Sequence, residues 1–400
     1  MSLINKISGL HILIISSWFS NTYNENSGSF VVEQAEILSK AGHKVGFIAN
    51  TKVFWFYLSR YKKLPKFLFR KISRRGVSGF SHEVLFLPAF PRLRLLNRAA
   101  NFINRKHVFL SYLCMYWLYR LFNGKPDIIH LHSFNISEFV PYLKKSTSLP
   151  VVITEHWSGF LNAARVSSNN FHVQKTYQSV DGVICVSEYL GCAVKNVTGR
   201  NFHIIPNSLD FSKFSISDSK EDYFTFIAIG YLVPIKRYDR VVEAFSRIYK
   251  VTPDVRLKIV GDGSLRTELE NLAESLGVRS AVEFCGFVDR SQIPQVIRKA
   301  HVLISSSEVE TFGMTLVEAF ASGIPVVCID SGGPRDVVED EINGYLVGPS
   351  VDELAAGMRR IHQKYLSFSP ATIRSRALEK FGAEAVSQRL QDYYHSFLNR

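Results

Sequence analysis

Glu310 and Glu318 stand eight residues apart in the stretch S-S-S-E-V-E-T-F-G-M-T-L-V-E-A-F-A-S-G-I-P-V-V-C-I at 305–329. The first carboxylate follows a strand-like run, in a loop. The second lies inside a short helix whose apolar stripe is Met314, Val317, Phe320 and Ala321. Gly313 permits close backbone approach where that helix starts, and Gly323 ends it. The amides of Phe312 to Thr315 fall at the helix N-terminus, where they lack intrahelical acceptors and the dipole favours negative charge. A carboxylate at Glu318 can accept hydrogen bonds from the hydroxyls of a sugar or ribose. The bland alternative makes Glu310 a dipole-favoured helix start and Glu318 part of a solvated face. Spacing alone leaves both open.

Histidines mark two further places. His130 and His132 close the run D-I-I-H-L-H at 127–132, where a hydrogen-bonded structural role is the default and His132 is the nearer to an expected ligand. His156 follows the apolar run 151–154 in T-E-H-W-S-G-F, beside Glu155, a carboxylate able to orient an imidazole. No two of the 14 aspartates stand two positions apart, so a D-x-D pair able to hold a divalent ion against a diphosphate is absent and no metal is expected. The loop after the first strand, S-W-F-S-N-T-Y-N-E-N-S-G-S, lacks G-x-G-x-x-G, and I-V-G-D-G-S-L-R lacks the third glycine; both disfavour a nicotinamide dehydrogenase.

These residues need elements to carry them. Apolar, β-branched runs at 11–16, 44–49, 83–87, 127–132, 151–154 and 183–186 alternate with helix-length segments such as 97–122 and 188–197. After the polar stretch 215–222 the pattern restarts, with strands at 225–229, 257–260, 282–285, 302–305 and 326–329 between helices at 239–249, 265–276, 293–299, 314–321 and 334–338. Two doubly wound α/β domains follow, each a parallel sheet covered on both faces. Ligands of such sheets bind at the carboxyl ends of the strands, which is where the unusual residues stand.

A chain of 400 residues with 46% apolar and 21% charged residues is globular in composition and long enough for two domains, which excludes a hormone, a disordered tail or a collagenous rod. The five scattered cysteines fit neither a disulfide scaffold nor a zinc site, and a reducing cytosol is expected. Neither a secretory leader nor a membrane-spanning run is read in the sequence. Of the net charge of +13, residues 37–126 carry 18 Lys/Arg and one acid, or +17, leaving −4 for the rest. The densest part, 51–75, holds nine basic residues and no acid, threaded with aromatics, with Phe54, Leu58, Tyr61, Leu68 and Ile72 near one helical face. That composition predicts a segment facing anionic lipid headgroups ahead of a solvated helix or a nucleic-acid patch.

The stretch 305–329 resembles the E-x7-E signature of glycosyltransferase family 4, retaining enzymes of the GT-B fold. It does not stand alone. V-S-E at 186–188, I-P-N-S-L-D at 205–210, I-V-G-D-G at 259–263, F-C-G-F-V at 284–288, D-S-G-G-P-R-D-V-V at 330–338 and N-G-Y-L-V at 343–347 fall in the family's order. In the amino-terminal half G-S-F at 28–30, A-G-H-K-V at 41–45, D-I-I-H-L-H and T-E-H-W-S-G-F are similar too, so the likeness runs over 9–395. It implies that Glu310 contacts donor-sugar hydroxyls, Glu318 the ribose, the backbone near Phe312, Gly313, Met314 and Thr315 the sugar or diphosphate, and Gly286, Phe287 and Val288 the base. Gly28 and Ser29 would face the diphosphate from the other domain, and His156 would reach the transferred sugar, with His132 and Glu155 on the acceptor side.

A departing diphosphate wants fixed cations. The family places an Arg and a Lys in a G-R-L-x-x-x-K stretch; here G-Y-L-V-P-I-K-R at 230–237 keeps Gly230 and Lys236 but has Tyr231 at the arginine's position. Arg237 or Arg335 are the candidates to replace it. The resemblance implies two Rossmann-like domains facing a central cleft. A domain over 1–207 would bind the acceptor and carry 51–75, a linker would span 208–222, a domain over 223–375 would bind the nucleotide sugar, and a helix over 376–400 would cross back to the first domain. The expected activity is retaining transfer of a hexose or N-acetylhexosamine from a UDP- or GDP-linked sugar to a lipid-linked glycan in cell-surface polysaccharide synthesis. It would proceed without metal or nucleic acid, at the inner face of the membrane. A sugar-nucleotide epimerase of the same architecture and a non-catalytic basic adaptor are the alternatives.

Overall fold

The computed structural model describes residues 9–19, 28–54, 70–86, 94–133, 139–162, 170–217 and 219–398. The chain divides into two compact units, one of Met1–Val186, Gly191–Ile205 and Val386–Arg400, the other of Ser187–Leu190 and Pro206–Ala385.

The first unit runs β1 (His11–Ser16), α1 (Ser29–Lys40), β2 (Lys44–Phe54), β3 (Arg70–Arg74), β4 (Val77–Phe86), α2 (Arg94–Asn123), β5 (Ile128–His132), α3 (Phe139–Thr147), β6 (Val151–Glu155), α4 (Asn170–Ser179), β7 (Gly182–Cys185), α5 (Glu188–Thr198, shared with the second unit) and β8 (His203–Ile204). Its sheet has the order β3-β4-β2-β1-β5-β6-β7-β8, parallel except where β3 meets β4. β1, β5, β6 and β7 are buried along their whole length, as unbroken apolar strands are when helices cover both faces of a parallel sheet.

The segment 51–75 is read differently by the structure at its two ends. Residues 51–54 extend β2, and 70–74 form β3. A two-residue turn at Arg75 and Gly76, with φ of 44° and 81°, folds β3 back on β4, since two positive φ values match the twist of a hairpin. The single helical face drawn through Phe54 and Ile72 is therefore absent at those ends, while 55–69 lie outside the described residues.

The second unit runs β9 (Phe224–Ile229), α6 (Tyr238–Tyr249), β10 (Val255–Val260), α7 (Arg266–Ser275), β11 (Val282–Gly286), α8 (Ile293–Lys299), β12 (Val302–Ser305), α9 (Met314–Ala321), β13 (Val326–Ile329), β14 (Gly344–Val347), α10 (Val351–Gln363) and α11 (Pro370–Phe381). All its strands are parallel, in the order β11-β10-β9-β12-β13-β14. Counted within the unit this is 3-2-1-4-5-6, the doubly wound arrangement, whose order reverses between β9 and β12. The fold is GT-B, with one mainly parallel sheet in each unit.

The expected linker 208–222 falls within the second unit, where Phe211 and Phe214 are buried around a short 3-10 turn. The expected helix at 334–338 is a 3-10 turn over Gly333–Asp336, begun by Gly332 at φ 101° and Pro334. The terminal stretch 376–400 spans the end of α11 and a further helix, α12 (Ala383–Leu398), broken at Gly382. Val386, Leu390 and Tyr394 of α12 are buried with Ile12, Ile14 and Phe47 in the core of the first unit.

Candidate active site

In the second unit the reversal between β9 and β12 opens a crevice at the carboxyl ends of those strands. The loop after β9 carries Lys236 and the loop after β12 carries Glu310, so each stands on one lip of it. Lys236 Nζ lies 2.8 Å from Glu310 Oε2 in a partly exposed ion pair. Both loops are fixed by backbone contacts. Ser306 Oγ lies 2.8 Å from the carbonyls of Lys236 and Arg237, the Glu308 amide donates to Ile235 O at 2.9 Å, and the Gly333 amide donates to Glu310 O at 3.0 Å. Lys236, Ser305, Ser306, Ser307 and Thr315 line a small cavity there, with Ile229, Ile304 and the Tyr238 ring as its apolar wall.

Gly313 caps α9 with φ 105°, a conformation side chains rarely adopt, and a Cβ added to it would lie 2.8 Å from Leu316 Cδ1. Phe312 is buried against Phe381, with ring centroids 5.6 Å apart, so its ring belongs to the core; Met314 and Thr315 are half-buried beside the helix start. Glu318 is 7% exposed, which removes the reading of α9 as presenting it on a solvated face. Its neighbour is Arg290, whose guanidinium lies 3.8 Å from Glu318 Oε1. Arg290 was missed in the sequence; the signal was a basic residue in D-R directly after F-C-G-F-V. Gly286 ends β11 at φ 71°, Phe287 is exposed and Val288 half-buried, as a loop open to a flat ring would be.

The two arginines considered for the missing cation are occupied elsewhere. Arg237 grips Asp239, with Nη2 to Oδ2 at 2.8 Å, and Arg335 grips Asp330, with Nε to Oδ1 at 2.8 Å. Tyr231 is exposed, and Gly230 leaves β9 at φ 147° with its amide donating to Val260 O at 3.0 Å.

In the first unit the strand order reverses between β1 and β5, and the histidines cluster at the carboxyl ends of β5 and β6. His132 Nδ1 and His156 Nε2 share a hydrogen bond of 3.0 Å. Glu155, fully buried, does not hold the imidazole. Its Oε1 accepts the amides of His156 at 2.9 Å and Trp157 at 2.8 Å, and its Oε2 accepts the Tyr177 hydroxyl at 2.8 Å, so it shapes the loop that carries the ring. His130 is structural: its two nitrogens meet the Tyr394 hydroxyl and Thr154 Oγ1, each at 2.7 Å. Burial holds His130 and His156 down to about 3 and His132 well below its ordinary value, so all three rings are neutral near pH 7. His132 Nε2 and His156 Nδ1 have no partner among the described residues.

Helix α1 begins beside this cluster, with the Phe30 ring 4.7 Å from the His156 ring between centroids. Its N-cap, Gly28, has φ 70°, and an added Cβ would lie 2.3 Å from Trp18 O. The first turn, from Ser29, contains no acid and no side-chain cap, which leaves the positive end of the helix to an anion.

Residues 27–213 match the family model described as Glycosyltransferase Family 4, and residues 211–376 the one described as Glycosyl transferases group 1. Among curated proteins the chain is similar to the phosphatidylinositol N-acetylglucosaminyltransferase gpi3 subunit of Schizosaccharomyces pombe, 26% identical over 74% of this chain and 67% of that one. It is also similar to the alpha-monoglucosyldiacylglycerol synthase of Streptococcus pneumoniae, 24% identical over 67% of this chain and 66% of that one. The chain thus matches about two thirds of the length of these relatives. Among solved structures, Anabaena HepE in complex with UDP and glucose superposes with a TM-score of 0.71 at 16% identity, over 96% of this chain and 100% of that one. With a switch-point ion pair, a buried second carboxylate eight residues on and two family models that between them run from 27 to 376, the chain belongs to the family 4 glycosyltransferases.

Proposed function

We propose that this chain transfers a hexose or N-acetylhexosamine from a UDP- or GDP-linked sugar to a hydroxyl of a lipid-linked glycan, with retention of configuration, in cell-surface polysaccharide synthesis. The observation that carries this reading is the Lys236–Glu310 pair at the strand reversal of the second unit, 2.8 Å apart, with Glu318 buried on the adjoining helix. When a donor enters, Glu310 turns from the ammonium to accept the sugar hydroxyls and Lys236 meets the diphosphate. The Gly313 and Met314 amides add the positive end of α9 to the same charge. Glu318 accepts the ribose hydroxyls, with Arg290 setting its orientation.

The bond from the sugar's anomeric carbon to the diphosphate oxygen then breaks. The acceptor oxygen bonds to that carbon from the same face, and the acceptor proton passes to the departing diphosphate. No protein nucleophile is required, and the transfer needs no metal because Lys236 and the helix amides supply the positive charge. Supporting the donor class is the UDP and glucose in Anabaena HepE, and supporting a lipid acceptor are the lipid names of the two curated relatives. The work is assigned to the cytoplasmic face of a membrane, where nucleotide sugars and lipid acceptors meet.

The deciding experiment is a thermal-shift screen of UDP- and GDP-sugars, followed by transfer from the stabilising donor to a bacterial lipid extract. One nucleotide series is expected to raise the melting temperature, and labelled sugar is expected in the lipid phase. No stabilisation by either series would overturn the reading. Epimerised donor formed in the absence of acceptor would replace it with the epimerase.

A further inference from the structure

We propose that the outward face of α2 (Arg94–Asn123) lies flat in the interfacial region of an anionic bilayer; in assigning that surface as the place where a lipid-linked acceptor is met, the inference rests on the function proposed above. The helix is anchored on its inner side. Tyr112 donates to Ser16 O at 3.0 Å, the Tyr119 hydroxyl lies 2.6 Å from His11 Nε2, and His82 Nδ1 lies 2.7 Å from Ser111 Oγ. Tyr112, Met115, Tyr116 and Tyr119 are buried beneath it.

The opposite face is where a helix on a soluble protein carries its charges. Here Leu96, Ile103, Leu110 and Trp117 recur every seven residues and are 51%, 51%, 53% and 46% exposed. They form one line about 32 Å long at ~1.5 Å per residue. Phe102 and Leu121, 55% and 75% exposed, widen it. An apolar strip of that length, exposed among the described residues, marks an interaction surface.

Charge selects the occupant. The helix contains Arg94, Arg98, Arg105, Lys106 and Arg120 and no acid, within the region 37–126 that carries +17. A second copy would set one row of cations against another, whereas anionic headgroups would neutralise them. The cations also sit at the level of the rings. Lys106 Nζ lies 5.6 Å from the Phe102 centroid and the Arg120 guanidinium 5.0 Å from that of Trp117. An aromatic body in the acyl boundary with a cation at the phosphates is the arrangement of an interfacial helix. Among the described residues no helix is long and apolar enough to cross a membrane, so this one lies on it.

The test uses the full chain and vesicles of phosphatidylcholine alone or mixed equally with phosphatidylglycerol, with co-sedimentation read without donor or acceptor, so that its result is independent of whether transfer occurs. The parent is expected to bind the anionic vesicles and to be released by salt. L110E/W117E is expected to bind about tenfold more weakly or worse, and R98E/R105E to lose the preference for anionic lipid. Melting temperature reports folding; if the Glu pair lowers it, L110Q/W117Q serves in its place. Undiminished vesicle binding by the folded variant would overturn the proposal. So would a parent that ignores vesicles and sediments as a dimer dissociated by L110E/W117E, or one that prefers RNA at matched salt.

Discussion

The imidazoles of His132 and His156 are joined through Nδ1 and Nε2 at 3.0 Å, their planes inclined by only 14°. One hydrogen can lie between two ring nitrogens, so one ring donates and the other accepts. The free nitrogens, His132 Nε2 and His156 Nδ1, therefore carry opposite roles, and His132 decides which one His156 offers to a sugar. His156→Ala is expected to remove most transfer. His132→Ala is expected to cost about 1–3 kcal/mol where the pair is broken, lowering kcat at nearly unchanged donor affinity. A His132→Ala enzyme with the parent's kcat would separate His132 from the site.

The same burial predicts an acid limit to stability. A histidine held neutral in the fold takes up its proton more readily when unfolded, so stability is full above about pH 6.5 and falls as pH drops towards the folded value. For His130, whose folded value is about 3, that window is between 6.5 and 3. Each imidazole kept neutral costs about 1.4 kcal/mol per pH unit below the ordinary value. Chemical unfolding at pH 7 and 5 is expected to show the loss, reduced in His130→Gln. A pH-independent midpoint would contradict it.

Lys236→Ala is expected to lower kcat/KM by about ten- to 150-fold, the 1.5–3 kcal/mol typical of a hydrogen bond to a charged group. Arg237→Ala and Arg335→Ala are expected to change it little, because Asp239 and Asp330 already hold those side chains. Steady-state kinetics on the three variants decides this. A large loss in either arginine variant would return that residue to the cationic clamp.

Glu310→Gln keeps the loop contacts made by its backbone and removes the charge. It is expected to abolish most transfer while the melting temperature stays near that of the parent. Arg290→Ala is expected to raise the apparent Kd of the nucleotide more than it lowers kcat, measured by calorimetry and initial rates, since it acts through Glu318.

Transfer is expected to persist in EDTA. A strict need for Mn2+ would place the neutralising charge on an ion and take it from Lys236.

Much of this was legible because parallel strands announce themselves. The runs at 11–16, 302–305 and 326–329 became strands with those limits, and the loop after 302–305 carries Glu310, as the end of the strand at 128–132 carries His132. What stayed hidden depended on partners distant in the chain. Glu155 reads as a partner for the adjacent imidazole, yet Tyr177, 22 residues later, and two loop amides claim it. The basic stretch 51–75 has a helical apolar period in part, but one end extends β2 and the other obeys the hairpin turn at Arg75 and Gly76. Helix α2 shows only one apolar period to a reader of the sequence, and the second face emerges once the inner one is seen to be satisfied.

The placement of α12 bears on how the protein comes to be folded. Val386, Leu390 and Tyr394 fill the core of the first unit, and Tyr394 supports His130, yet they are translated after all of 206–385. The first unit is thus completed only after 206–385 have been made. A fragment ending at 205 would expose the apolar floor of its own sheet, and any chaperone that shields it during synthesis must let go only when α12 arrives.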